Sequence, residues 1–252
     1  MGPYHQWALL AAACVLLLLL ASTSDERMSD GTFARVGTPV VHRTFNANNR
    51  PTVSAIEWTS AGFVVKDADD EAARSLVASM GYGDVYDRLP NGAARADLYR
   101  YAAVFRHGGW YADQDVHPTL ELAELAARRP LVFFHEACGS FLFNAIKRHL
   151  GLSTIMRTPQ FKNALFAAPA GWPPLRATLD AVRNRLDAHT GDWSEADVIN
   201  VSGPGVLTDV LVILNALGNN ASLVPCARQP RYFRHEAVGS WRGAKIKNAL
   251  DD

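Results

Sequence analysis

Apolar positions change their spacing several times along the chain, and each change marks an element. Residues Trp7–Ala21 (WALLAAACVLLLLLA) form an uncharged apolar run of 15. As a helix this run spans about 22 Å, short of the ~30 Å hydrocarbon core of a bilayer. It reads as a short signal-anchor suited to a thin early-secretory membrane, or as a signal peptide cleaved near Ala21-Ser22-Thr23-Ser24, with the anchor preferred. A buried soluble helix is the plain alternative. Residues 22–36 are polar and turn-rich and read as a stem. Thr38–Phe45 reads as a first short strand, Ser54–Trp58 as a helix, Gly62–Lys66 as a second strand and Glu71–Met80 as a second helix. This β-α-β-α opening is the pattern of a parallel sheet with helices on its faces.

The pattern is sharpest between Ala93 and Pro118. Leu98, Tyr101, Ala102 and Phe105 recur at helical spacing. Gly108-Gly109 stops that helix, with Arg106 and His107 in its last turn, where cations suit the dipole. Asp97 and Arg100 lie three residues apart and share one helix face. Trp110–Val116 then reads as a strand closed by Pro118. Strand alternation puts Tyr111, Asp113 and Asp115 on one face and Trp110, Ala112 and Gln114 on the other.

Two carboxylates about 7 Å apart on one strand face repel each other, and partial burial raises that cost. A hard divalent cation resolves the conflict. Mg²⁺ or Mn²⁺ is held by one or two carboxylates, with substrate phosphates completing the shell. The plain alternative is a pair of solvated surface aspartates, for Asp-x-Asp is a common tripeptide.

Composition narrows the partners. The 25 basic and 25 acidic residues give a formal charge of zero, which leaves no electrostatic footprint for nucleic acid. Hydrophobic residues make up 48%, enough for a core in one large α/β domain of about 220 residues. Cys14 lies in the apolar run, so Cys138 and Cys226 form a disulfide in an oxidising lumen or remain two buried thiols. Asn200-Val201-Ser202 and Asn220-Ala221-Ser222 are glycosylation sequons.

Five segments, in order, resemble the DXD-containing sugar transferases of glycosyltransferase family 32, above all the α-1,6-mannosyltransferases that initiate outer chains. RADLYRYAAVFRHGGWYADQDVHP (residues 95–118) resembles the family's helix, Gly-Gly turn and DXD strand. PVVHRTF (39–45) is similar to its opening strand, and NALFAAPAGWPP (163–174) to the segment after the DXD region. SGPGVLTD (202–209) and HEAVGSW (235–241) resemble its two C-terminal motifs. His42-Arg43-Thr44 departs from the usual His-Gln, Gln114 from an apolar residue or Thr, and Gly171-Trp172-Pro173 from Gly-His-Pro.

The resemblance implies a GT-A type (Rossmann-like) α/β fold, a mixed sheet flanked by helices, over residues 37–246, with a tail at 247–252. It implies a retaining hexosyltransferase whose Mn²⁺ (or Mg²⁺) is held by Asp113, Asp115 and His235. Donor contacts are implied for His42, Asp97, Arg100, Tyr111, Asp113, Asn163, Ser240 and Trp241. GDP-mannose is the first donor expected, with a UDP-hexose as the alternative and a glycan or glycolipid as acceptor. With the N-terminal segment, this predicts a type II membrane enzyme of the Golgi and secretory pathway, its catalytic part lumenal, with a secreted enzyme as the alternative. Each residue also has a plain reading: His42 and Trp241 as core, Asp97 with Arg100 as an exposed helix pair.

Two readings from other classes compete. A haloacid-dehalogenase-type phosphatase uses Asp-x-Asp with the first Asp as nucleophile. It also needs a downstream Lys and a paired-acid motif, which Asp251-Asp252 at the C-terminal end does not supply. A non-catalytic secretory binding protein is the other.

Overall fold

In the computed structural model of the chain, residues 37–45, 53–136, 160–218 and 221–236 are described. The apolar run, the stem, Cys138, Asn220, Ser240, Trp241 and the tail lie outside them. The first half runs β1 (Val40–Thr44), α1 (Ala55–Ser60), β2 (Val64–Ala68), α2 (Asp70–Ser79), α3 (Gly83–Arg88), α4 (Gly92–His107), β3 (Gly109–Ala112), β4 (Val116–Pro118), α5 (Leu120–Arg128) and β5 (Val132–Phe134). The second half adds β6 (Leu165–Ala168), α6 (Pro173–Ala188), α7 (Glu195–Val201), α8 (Pro204–Ile213), β7 (Ser222–Val224), α9 (Gln229–Tyr232) and β8 (Phe233–His235). The predicted opening β-α-β-α is present.

Six strands form one mixed sheet in the order β2-β1-β3-β6-β5-β7, and β4 pairs with β8 in a separate two-stranded ladder. Strands β1, β2 and β3 are mutually parallel, β6 runs against β3 and β5, and β7 is parallel to β5. The expected class, a mixed α/β sheet flanked by helices, is the one observed. Because β6 alone is reversed, its N-terminal end meets the carboxyl ends of β3 and β5. That edge collects Asp113, Asn163 and Glu136, from three different connections.

Alternation along the strands builds two cores. Tyr111, Phe133, Phe166 and Ala168 enter one cluster with α2, α3, α4, α6, α7 and α8. Trp110, Ala112, Val132, Phe134, Leu165 and Ala167 enter the other, with Trp58 of α1, Leu122 of α5, Val116 and Phe233. Helix α4 owes its position to its ends. Asn91 caps it, accepting from Ala94 N–H at 2.9 Å, and Gly108-Gly109 ends it.

Both glycines have left-handed φ, +68° and +93°, which a Cβ disfavours. A Cβ on Gly109 would lie 2.7 Å from the Val40 carbonyl oxygen, and one on Gly108 would lie 2.7 Å from Ala170 N. The turn thus lets β3 close against β1. Gly109→Ala is expected to cost roughly 1–3 kcal/mol for the backbone conformation, with the clash adding to it. Urea unfolding of the variant measures this, and an unchanged midpoint would contradict it.

Candidate active site

The reading of Trp110–Val116 as one strand is corrected by the structure. Strand β3 stops at Ala112, and Asp113-Gln114-Asp115 forms a turn in which Val116 N–H bonds back to the Asp113 carbonyl at 3.1 Å. The chain then crosses from the six-stranded sheet into the β4–β8 ladder. Extended spacing no longer separates the carboxylates. Instead one ligand atom each of Asp113, Asp115 and His235 lies within 4.8 Å of the others. His235 arrives from β8, where it pairs with Val116, and its Nε2 sits 3.2 Å from Asp115 Oδ1.

Three backbone contacts fix the turn. Asp113 N–H donates to the Ala164 carbonyl at 2.8 Å, Glu236 N–H to the Asp115 carbonyl at 3.1 Å, and Val53 N–H to the Gln114 carbonyl at 2.9 Å. Val53 is held in turn by Arg43, whose Nη1 donates to its carbonyl at 2.7 Å. Arg43 is buried and forms a two-pronged bond to Asp67 at 2.7 and 2.8 Å. Arg43 thus belongs to the scaffold of the turn.

Beneath Asp113 lies a buried polar network. Asp97 and Arg100 are 6% and 5% exposed, so they do not form the exposed helix pair of the plain reading. Arg100 Nη2 lies 3.1 Å from Asp97 Oδ1 and 3.1 Å from Asp113 Oδ1. Its Nη1 donates to the Asn163 carbonyl at 2.8 Å, and its guanidinium sits 4.6 Å from the centre of the Tyr111 ring. Asn163 Nδ2 donates to Asp97 Oδ1 at 2.8 Å, Ser202 Oγ to Asp97 Oδ2 at 3.1 Å, and Tyr111 O–H to Asp113 Oδ1 at 2.9 Å. Asp97, the Asn163 carbonyl and the Tyr111 ring thus hold Arg100 beside Asp113.

Burial pushes Asp97 from 3.8 up to about 6, against the pull of Arg100. The folded state therefore holds this proton more tightly than the unfolded chain. Asp97's own contribution to stability falls as pH rises from about 4 to about 6 and is level above that. At neutral pH it remains a carboxylate facing Arg100. Burial also raises Tyr111 well above the usual phenol range, so it stays a hydrogen-bond donor.

Not every predicted residue joins this cluster. His42 is buried on β1, and its Nε2 lies 3.0 Å from the Gly108 carbonyl, to which it donates. Burial lowers its pKa, and the ring stacks on His107 at 5.6 Å. Asp97, Arg100, Tyr111, Asp113, Asn163, Asp115 and His235 do come together.

Sequence reasoning placed Ser202 in a sequon and at the head of the SGPGVLTD stretch, and missed it as a partner of Asp97. Ser202 is buried at the break between α7 and α8, and Asn200 lies in α7 with its Nδ2 on the Ala196 carbonyl at 2.8 Å. Within that sequon Val201 and Ser202 are buried and Asn200 is half-buried. The clue to Ser202 was its place in the SGPG stretch, where Pro204 starts the next helix. Cys226 is disulfide-bonded, with its partner outside the described residues.

Residues 40–132, from β1 to β5, match the family described as the glycosyltransferase sugar-binding region containing the DXD motif. The match bears out the expectation of a glycosyltransferase. No curated protein matches the chain. Among solved structures, it is similar to the PaToxG glycosyltransferase, with 13% identity over 70% of this chain and 68% of that one and a TM-score of 0.41. It is also similar to the UDP-bound glycosyltransferase domain of the YGT toxin, with 12% identity over 68% of this chain and a TM-score of 0.42, and it spans 53% of that chain. The apo form of glycosyltransferase GlyE from Streptococcus pneumoniae TIGR4 shares 9% identity over 74% of this chain and 45% of that one, at a TM-score of 0.36. These likenesses are distant.

Proposed function

We propose that the chain is a divalent-metal-dependent hexosyltransferase of the family 32 type, and that its donor is a nucleotide sugar bound at the Asp113–Asp115–His235 cluster. The observation that carries this is the convergence of two carboxylates and one imidazole within 4.8 Å, beside a buried arginine. The donor set fits the expected ion. Carboxylate oxygens suit Mn²⁺ or Mg²⁺, and the imidazole nitrogen favours the softer Mn²⁺. Bound there, the metal would supply Lewis-acid stabilisation of the negative charge on the departing diphosphate.

The chain's own residues do the positioning. Arg100 and Tyr111 fix both oxygens of Asp113, so that this carboxylate meets its ligand without losing rotamer freedom at that moment. Asp97 and Asn163 form the floor of the donor-sugar site and keep Arg100 aligned. Tyr101, Tyr111 and Phe166 pack against one another in the core beside this floor. His42 stabilises the Gly-Gly turn and acts on the donor only through it. Ser240 and Trp241 remain part of the proposed donor site, as the segment that follows His235.

GDP-mannose is the first donor, with retention at the anomeric carbon, and UDP-galactose, UDP-glucose or UDP-N-acetylglucosamine are the alternatives within the class. A glycan or glycolipid acceptor and a type II Golgi location complete the proposal. The apolar run before residue 22 and the disulfide at Cys226 support an oxidising lumen.

The test is thermal unfolding with a panel of sugar nucleotides, with Mn²⁺ or EDTA. GDP-mannose at a hundred times its Kd is expected to add about 2.7 kcal/mol, a shift of several degrees, only when Mn²⁺ is present. Stabilisation by a UDP-sugar instead would move the donor and keep the class. No shift with any sugar nucleotide and Mn²⁺ would reject the proposal.

A further inference from the structure

The β4–β8 ladder that brings Asp115 to His235 is only three residues long on each side. Two short strands are marginal by themselves, so something else must keep the ladder in register. On the side of the ladder that carries His117 and Arg234, one side chain makes such a connection. His117 Nδ1 lies 2.9 Å from Glu57 Oε2, and its Nε2 lies 3.1 Å from Glu236 Oε1. Arg234 Nη1 donates to the same Glu236 oxygen at 3.1 Å.

Each end of this connection is anchored. Glu57 stands on α1, which is capped by Ser54 and pinned by the fully buried Trp58 packed edge-on against Phe63 at 5.1 Å. Glu236 directly follows His235, and its N–H bonds to the Asp115 carbonyl. His117 itself lies two residues beyond Asp115. One imidazole therefore links a fixed helix to the backbone of both ladder-borne members of the cluster.

We infer that His117 is a positioning residue for the metal site: the Glu57–His117–Glu236 clamp sets the separation of Asp115 and His235. This rests on the metal-site reading proposed above. The clamp touches neither the ion nor the donor. It acts by holding two strands at the register that presents their ligands, as outer partners of metal ligands generally do.

Mn²⁺ titration of the full chain without nucleotide, followed by the EPR signal of the free ion, tests it. His117→Ala is expected to raise the Mn²⁺ dissociation constant about tenfold or more. Glu57→Gln should shift it in the same direction, although Glu57 is 47% exposed and distant in sequence from every member of the cluster. The double variant should be little worse than the worse single one, since one clamp is lost only once.

Arg74→Ala, which breaks the exposed Arg74–Asp87 pair, serves as the comparison and should leave Mn²⁺ affinity unchanged. If His117→Ala does not fold, Glu57→Gln alone decides the matter. Unchanged Mn²⁺ affinity in these variants would overturn the clamp while leaving the metal site standing. A wild-type chain that binds no Mn²⁺ would overturn both.

Discussion

Asp115→Ala should abolish sugar transfer and Mn²⁺-dependent nucleotide binding while the chain remains folded. The side chain is one of three candidate ligands in the cluster, and its loss leaves Asp113, in the turn after β3, and His235, at the end of β8. Losing the charge stabilisation that a metal gives the transition state costs several kcal/mol, at least about a hundredfold in rate. The backbone supports of the turn involve the Asp115 carbonyl and its neighbours, not the carboxylate, so they survive the substitution. Circular dichroism and initial rates over a Mn²⁺ series separate the two effects. Asp115→Asn, which keeps the shape and removes the charge, should behave like the alanine variant in rate. Near-normal turnover in either variant would reject the metal site.

Arg100→Met has the largest expected effect on stability. Removing this buried cation leaves Asp97 enclosed without a counter-charge and Asp113 without its ion pair. Breaking a buried pair from one side costs about 3–5 kcal/mol, because the remaining charge stays desolvated. Adding Asp97→Asn to Arg100→Met should recover part of that loss, since the double variant no longer buries a lone carboxylate. Denaturant unfolding of the two singles and the double gives the coupling directly. A single variant within about 1 kcal/mol of wild type would mean that water reaches the network and screens it.

The fold was legible where structure is local. Strand β1 and helices α2 and α4 follow from apolar spacing, and the end of α4 follows from two adjacent glycines whose positive φ the structure requires. The cluster was legible in part: Tyr111, Asp113 and Asp115 were grouped correctly but for a reason that fails at Ala112. Alternation continues formally through Gln114. What ends the strand is the pairing of Gln114 with Val53, more than sixty residues up the chain, and the demand of Val116 for the β4–β8 ladder. The Asp97–Ser202 bond spans 105 positions, and the Arg43–Val53 support has no spacing signature at all. Burial of Asp97 and Arg100 was equally invisible, since a charged pair three apart on a helix reads as solvated until the opposite wall is known.

The turn at Asp113–Asp115 lies on the seam between two sheets, with Asp113 leaving the large one and Asp115 entering the small one. A cation shared by Asp113, Asp115 and His235 would therefore work as a rivet as well as an electrophile. Its binding energy would be spent partly on holding the ladder against the sheet, so donor occupancy and the mechanical integrity of this corner would rise and fall together. Hydrogen exchange in β4 and β8 should accordingly slow when metal and nucleotide are added, while the amides of β1 and β3 keep their rates.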